Sequence, residues 1–124
     1  MVQIHLPSLI ADGKITEVAA SAQQIKSVVN FFNPAHSSAL GAGELEALAI
    51  LQASEEGIVF CTADKLAIYS LVLMGFSERG VSLEEVLRQS GLTKAIGLQF
   101  TEAFFQQQIT IGQEKRIRGE GLRR

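Results

Sequence analysis

The sequence has no tryptophan, a single tyrosine, two prolines and one cysteine. A lone thiol, Cys61, cannot close an internal disulfide. That excludes a small disulfide-stapled scaffold and points to a reducing, cytoplasmic compartment. No apolar run approaches the roughly 20 residues a membrane span needs. The opening MVQIHLP has neither the basic segment nor the apolar stretch of a secretory signal. The expectation is a protein with no membrane partner. Charge is also scarce. Eleven Lys and Arg stand against 13 Asp and Glu, a formal net charge of −2, and the pI is near 5.7. This balance argues against tight charge-driven binding of a long duplex. It leaves room for an enzyme that touches nucleic acid through metal ions.

What the chain does have is apolar residues, 47% against 19% charged in a length of 124. That is enough for one domain around one core. It is also more apolar surface than so few polar residues can cover, so part of the excess is expected to be buried in a homodimer.

In chain order, Pro7 fits a first helical turn and Asp12-Gly13 a turn. Lys14–Ala19 alternates enough for a short edge strand. Ser21 and Gln24 form an S-x-x-Q capping box ahead of a helix whose apolar face is Ile25, Val28, Val29 and Phe32. Asn33-Pro34 ends that helix and residues 33–39 read as a loop carrying His36, expected to be a solvated histidine. A helix over about Gly43–Ser54, apolar on more than one face, is expected to be largely buried. The unbroken run Ile58–Cys61 resembles a central parallel strand, with Cys61 as a small core residue. Residues 66–74 are apolar almost all round, and Met74 reads as core filler. Ser82 and Glu85 form a second capping box, with Val81 and Val86 as its hydrophobic staple, and Gly91 closes that helix. A last helix is expected over about Lys94–Gln107, a strand or tail at 109–111, and disorder in the charged stretch 112–124.

The organising stretch is Leu40–Asp64, LGAGELEALAILQASEEGIVFCTAD. Gly41 and Gly43 permit a tight turn into a helix, with Glu44 in its first turn. Asp64 follows Thr62 just past the strand. Two acids so placed can meet at one sheet edge, where oxygen ligands suit Mg²⁺ or Mn²⁺. The spacing has a plainer reading: Glu44 complements the helix macrodipole and Asp64 caps the next helix.

The ordered string LGAGELEALAIL, then a strand ending in T-x-D, then a helix, resembles the PIN domain. It looks most like the bacterial and archaeal branch that reads L-G-x-G-E-x-E-A-x-x-L before the strand. The resemblance covers residues 40–75 and extends over 14–39 as an edge strand and a helix before the glycine turn. It implies a three-layer α/β/α sandwich with a short parallel sheet, lacking the family's N-terminal strand and carrying a helical C-terminal extension over 82–107. Residues 1–111 would then be one PIN-like domain with its core at 14–76, and 112–124 a flexible charged tail. Members of the family are commonly Mg²⁺- or Mn²⁺-dependent ribonucleases, many of them toxins of toxin–antitoxin pairs. Their acids bind metals that activate water. Carried over by position, Glu44 and Asp64 are the catalytic and metal-binding residues, with Thr62, Gly41 and Gly43 in support and Glu46 a weaker candidate.

The family's opening strand ends in an aspartate that this chain does not have. Asp12 and Glu17 are the only acids before Glu44. The expectation is weak metal binding and RNA phosphodiester hydrolysis that is reduced or lost. The missing strands would expose sheet edge, which a homodimer, with or without exchanged elements, would cover. Two other functions are open: a non-catalytic protein-interaction or regulatory module, with an antitoxin-like protein as a possible partner, and a helix-turn-helix DNA-binding module over residues 81–100. The second would read DNA with KAIGLQFTEAFF, which offers one lysine and no arginine.

Overall fold

The structure, a computed structural model, describes residues 18–54, 58–91 and 96–123. The first helix, α1 (Ala22–Phe31), starts where the Ser21 side chain accepts from the Gln24 N–H and the Gln24 side chain accepts from the Ser21 N–H, the expected reciprocal box. After Phe32 the chain does not loop. Asn33 accepts from the His36 N–H at 2.8 Å, and Pro34 stands at the first helical position. Together they start a second short helix, α2 (Pro34–Ala39). Here Asn-Pro both ends one helix and begins the next, so His36 is helical rather than in a loop.

Helix α3 (Ala42–Ala53) follows with Gly41 as its N-cap. Strand β1 is only Phe60–Cys61. Helix α4 (Lys65–Leu73) leads through a 3₁₀ turn (Ser77–Arg79) to β2 (Gly80–Val81). The two strands pair in parallel, Phe60 opposite Gly80 and Cys61 opposite Val81. Then come α5 (Leu83–Gln89), a 3₁₀ turn (Leu98–Phe100) and the longest helix, α6 (Glu102–Arg118).

Helix α4 is the centre of the molecule. Ala67, Ile68, Ser70, Leu71, Val72 and Leu73 are all buried along it. One side meets the cluster of Val28 and Phe32 with Leu48 and Leu51 of α3. The other side lies against α6. Tyr69 Oη donates to Gln108 Oε1 at 2.6 Å, and the Lys65 ammonium sits 5.8 Å from the Phe104 ring centroid. The paired residue numbers rise together, so α4 and α6 run parallel. Their backbones come close because Gly112 faces Val72: a Cβ there would lie 3.0 Å from two of the valine's side-chain carbons.

This architecture overturns the three-layer α/β/α sandwich. Among the described residues the sheet has two strands of two residues each, and the apolar helices cover one another instead of a sheet. The run Ile58–Cys61 misled because an unbroken apolar stretch reports hydrophobicity and not burial on both faces. Ile58 and Val59 are 40% and 58% exposed, and Cys61 is exposed rather than core. The C-terminal stretch also differs. Residues 109–111 are helical, and α6 continues to Arg118, where Gly119 in the left-handed region ends it. Isolated Gly112 does not break the helix because its missing side chain is what lets α4 in. The expected strand Lys14–Ala19 lies mostly outside the described residues, as do Pro7, Asp12 and Glu17.

Candidate functional site

The two carboxylates singled out by the sequence each serve their own helix. Asp64 is the N-cap of α4, and its Oδ1 accepts from the Ala67 N–H at 2.9 Å. The Asp64 N–H in turn donates to Thr62 Oγ1 at 3.1 Å. The T-x-D pattern therefore has a local role: the threonine hydroxyl holds the turn that aims the aspartate at the helix start. Glu44 occupies the first turn of α3. Its carboxylate is folded back over Gly41, on the space a Cβ at that position would take. The positive helix end favours an acid there. Gly41 is needed for that contact, whereas Gly43 has open space around it.

No hydrogen bond or ion pair links Glu44 to Asp64, and among the described residues no group of three His, Cys, Asp or Glu side chains forms a cluster able to hold a metal ion. A divalent cation of the Mg²⁺ class takes several oxygen ligands in strict geometry. Two carboxylates, each turned to the start of its own helix, do not fit that demand. Glu46, two residues beyond Glu44 on α3, adds no third ligand to such a cluster.

The helix-turn-helix reading meets a similar obstacle. The segment expected to read DNA does not form one helix: Leu98–Phe100 is a 3₁₀ turn, and α6 begins only after the Thr101 side chain accepts from the Phe104 N–H. The Phe105 side chain beyond it is buried, as packing and not recognition requires.

Two features were not found from the sequence. The first is a small cavity of about 150 Å³ between α3 and β1, lined by Ala47, Ile50, Leu51, Ile58, Val59, Phe60 and Cys61. It is apolar and opens beside the exposed side chains of Ile58 and Val59. Partial burial pushes the Cys61 thiol above its ordinary pKa, which keeps it protonated and poorly nucleophilic. The apolar run was visible in the sequence, but its exposure was not.

The second is the pair His36 and Ser70, 2.8 Å apart from Nε2 to Oγ. A Ser–His contact invites a nucleophile reading. Ser70 has no exposed surface, and its hydroxyl donates to the Leu66 carbonyl at 2.7 Å. A serine whose proton is held by its own helix, and which no substrate can reach, is structural. Only a tertiary contact across 34 residues joins the two, and no local pattern announces it. Comparison of the chain with protein-family models, with curated proteins and with solved structures gives no match.

Proposed function

We propose that this chain is a non-catalytic interaction module that works by self-association through the groove between α3 and β1. The observation that carries this reading is the groove itself. An apolar depression is flanked by Ile58 and Val59, 40% and 58% exposed. It lies beside strand β1, which is paired on one side only among the described residues. A strand with a free edge and apolar neighbours offers both backbone hydrogen bonds and hydrophobic area to a partner. A second copy presents the same patch, so a twofold dimer pairs each groove with its equivalent.

Sedimentation velocity from low to high micromolar concentration tests the reading. The expected result is a dimer in the natural sequence and a monomer in Val59→Asp. A natural chain that stays monomeric throughout rejects it.

The second reading is the activity the resemblance implies, Mg²⁺- or Mn²⁺-dependent hydrolysis of RNA, and it runs against the misfit of Glu44 and Asp64 to one such ion. One observation favours it: Asp64 is exposed at the carboxyl end of β1, the edge where ligands of parallel sheets bind. Calorimetric titration with Mn²⁺ on the natural chain and on Asp64→Ala separates the two. Binding that the substitution abolishes moves the weight to the nuclease and calls for RNA-cleavage assays. No heat at millimolar Mn²⁺ leaves the interaction module.

A further inference from the structure

Beyond the end of α6 the chain turns through Gly119 and lays a short strap, Gly119–Arg123, back across the junction of α1 and α2. Three hydrogen bonds hold it, two of which make up the antiparallel bridge between Phe32 and Leu122. The Asn33 N–H donates to the Gly121 carbonyl at 2.9 Å, and the Arg123 N–H to the Phe31 carbonyl at 3.4 Å. Arg123 Nε donates to the Asn30 carbonyl at 2.8 Å.

Under the strap lies His36. Its ring stacks on Phe32, centroids 4.4 Å apart and planes 22° apart. Its Nε2 faces Ser70 Oγ at 2.8 Å. The direction of that bond follows from the neighbouring one. The single hydroxyl proton of Ser70 goes to the Leu66 carbonyl, so Ser70 accepts and His36 donates from Nε2. Nε2 therefore carries a proton, and in the neutral ring Nδ1 is bare and is the site a second proton would take. That Nδ1 faces the strap: a Cβ on Gly121 would lie 2.7 Å from it and 3.1 Å from a Leu73 methyl. Gly121 also has φ +81°, so the strap needs glycine there for both space and backbone.

A proton added to His36 goes to Nδ1, into the contact with the strap, where no acceptor is bonded to it. We propose that the strap is an acid-opened latch, closed over neutral His36 and released when His36 is protonated. Release uncovers Phe32 and Leu73, both buried when it is closed.

The charged surroundings set the sign. Burial, and then the nearby Lys115 ammonium of α6, push the His36 pKa down. Lys115 is partly offset by Glu120 of the strap turn at 3.7 Å, which Arg118 also meets at 3.3 Å. From α1 and α4 the groups that touch the ring are Phe32 and Ser70, neither charged. With the closed-state pKa lowered, closed and open forms bind protons equally above the ordinary value of 6.5. Below it the open form takes up a proton that the closed form resists. Closure therefore weakens as pH falls, by up to about tenfold per pH unit, until the closed-state pKa is reached.

Hydrogen exchange read by mass spectrometry on the full chain at pH 7.5 and pH 5.0, corrected for intrinsic rates, tests this. The expected result is a loss of protection at pH 5.0 for the amides of Asn33 and Arg123, with the α4 amides unchanged. His36→Gln, which keeps a donor for Ser70 but does not titrate, should lose the pH dependence. Gly121→Ala should open the strap at both pH values. If His36→Gln does not fold, His36→Asn is the second arm: it does not titrate either and should lose the pH dependence in the same way. Strap protection that is the same at both pH values overturns the latch. So does an acid-induced loss that persists in His36→Gln, or in His36→Asn where that variant is the one that folds.

Discussion

Helices α4 and α5 begin in the same way and end up in different worlds. Each starts on an oxygen cap: Asp64 accepts from the Ala67 N–H, and Ser82 from the Glu85 N–H. In α4 six of nine residues are then buried, and in α5 none of seven is. Capping fixes where a helix starts and leaves its stability to what it packs against. Helix α5 is tied to the molecule by polar bonds. Ser82 Oγ donates to Glu102 Oε2 at 2.5 Å, and the Glu102 N–H donates to Glu84 Oε1 at 3.0 Å. The comparison predicts a molecule that opens locally at α5 well before α4 is disturbed.

The largest effect should come from the α4 side. Leu71 has no exposed surface and belongs to the main cluster. Leu71→Ala should cost about 3 kcal/mol of global stability, read as a lower urea midpoint with the slope unchanged. A cost near zero would mean that the α4 core is loosely packed and the contrast with α5 unfounded.

Next is Arg79, which sits between the two regions in the 3₁₀ turn before β2. Its Nη1 donates to the Leu51 carbonyl at 2.8 Å and to the Ser54 carbonyl at 3.2 Å. Its Nε donates to the Ile58 carbonyl at 3.3 Å. One guanidinium thus closes the C-terminal end of α3, a role helices usually give to a glycine or a nearby base. Its ring-facing side stacks 5.4 Å from the Phe76 centroid. Arg79→Met keeps the length and the packing but strands the Ser54 and Ile58 carbonyls, while the Leu51 carbonyl keeps its bond from the Ser54 N–H, so it should cost about 2 kcal/mol. The added exchange should appear at the end of α3, around Ser54.

These two residues also mark what the sequence could and could not tell. The α1 box, the α3 and α4 spans, the Ser82 start and the Gly91 stop were legible, because each rests on neighbours a few residues apart. The sandwich was not. It was implied by the PIN resemblance, and its central strand was an apolar run at 58–61 whose burial depends on elements distant in sequence. Arg79 reads as one more surface charge until the fold places three carbonyls around it. The candidate site divides the same way. Glu44 and Asp64 were correctly placed at two helix starts, but spacing along the chain cannot say whether two starts face each other.

A smaller effect is expected at α5. Ser82 is 2% exposed and both caps α5 and binds Glu102. Ser82→Ala should cost about 1 kcal/mol and act locally. Exchange should quicken over α5 and at the Glu102 amide while the α4 amides keep their protection. Equal loss in both helices would show that they unfold as one unit, and the comparison would fail.

The smallest effect is the most informative about function. Asp64→Ala removes the cap of α4, worth about 1 kcal/mol, from a helix that burial holds in place. The urea midpoint should fall only slightly, and the α4 amides beyond the first turn should stay protected. Asp64→Asn keeps an oxygen for the Ala67 N–H and should restore most of the loss. The pair of variants separates two roles that one carboxylate can play. A cap needs the oxygen and a metal ligand needs the charge, so a side chain that only caps tolerates asparagine in every assay. If Asp64→Asn matches the natural chain in stability but changes its response to Mn²⁺, the charge has a use that the cap does not explain. If the two are alike in both, the T-x-D pattern in this chain is a device for starting a helix.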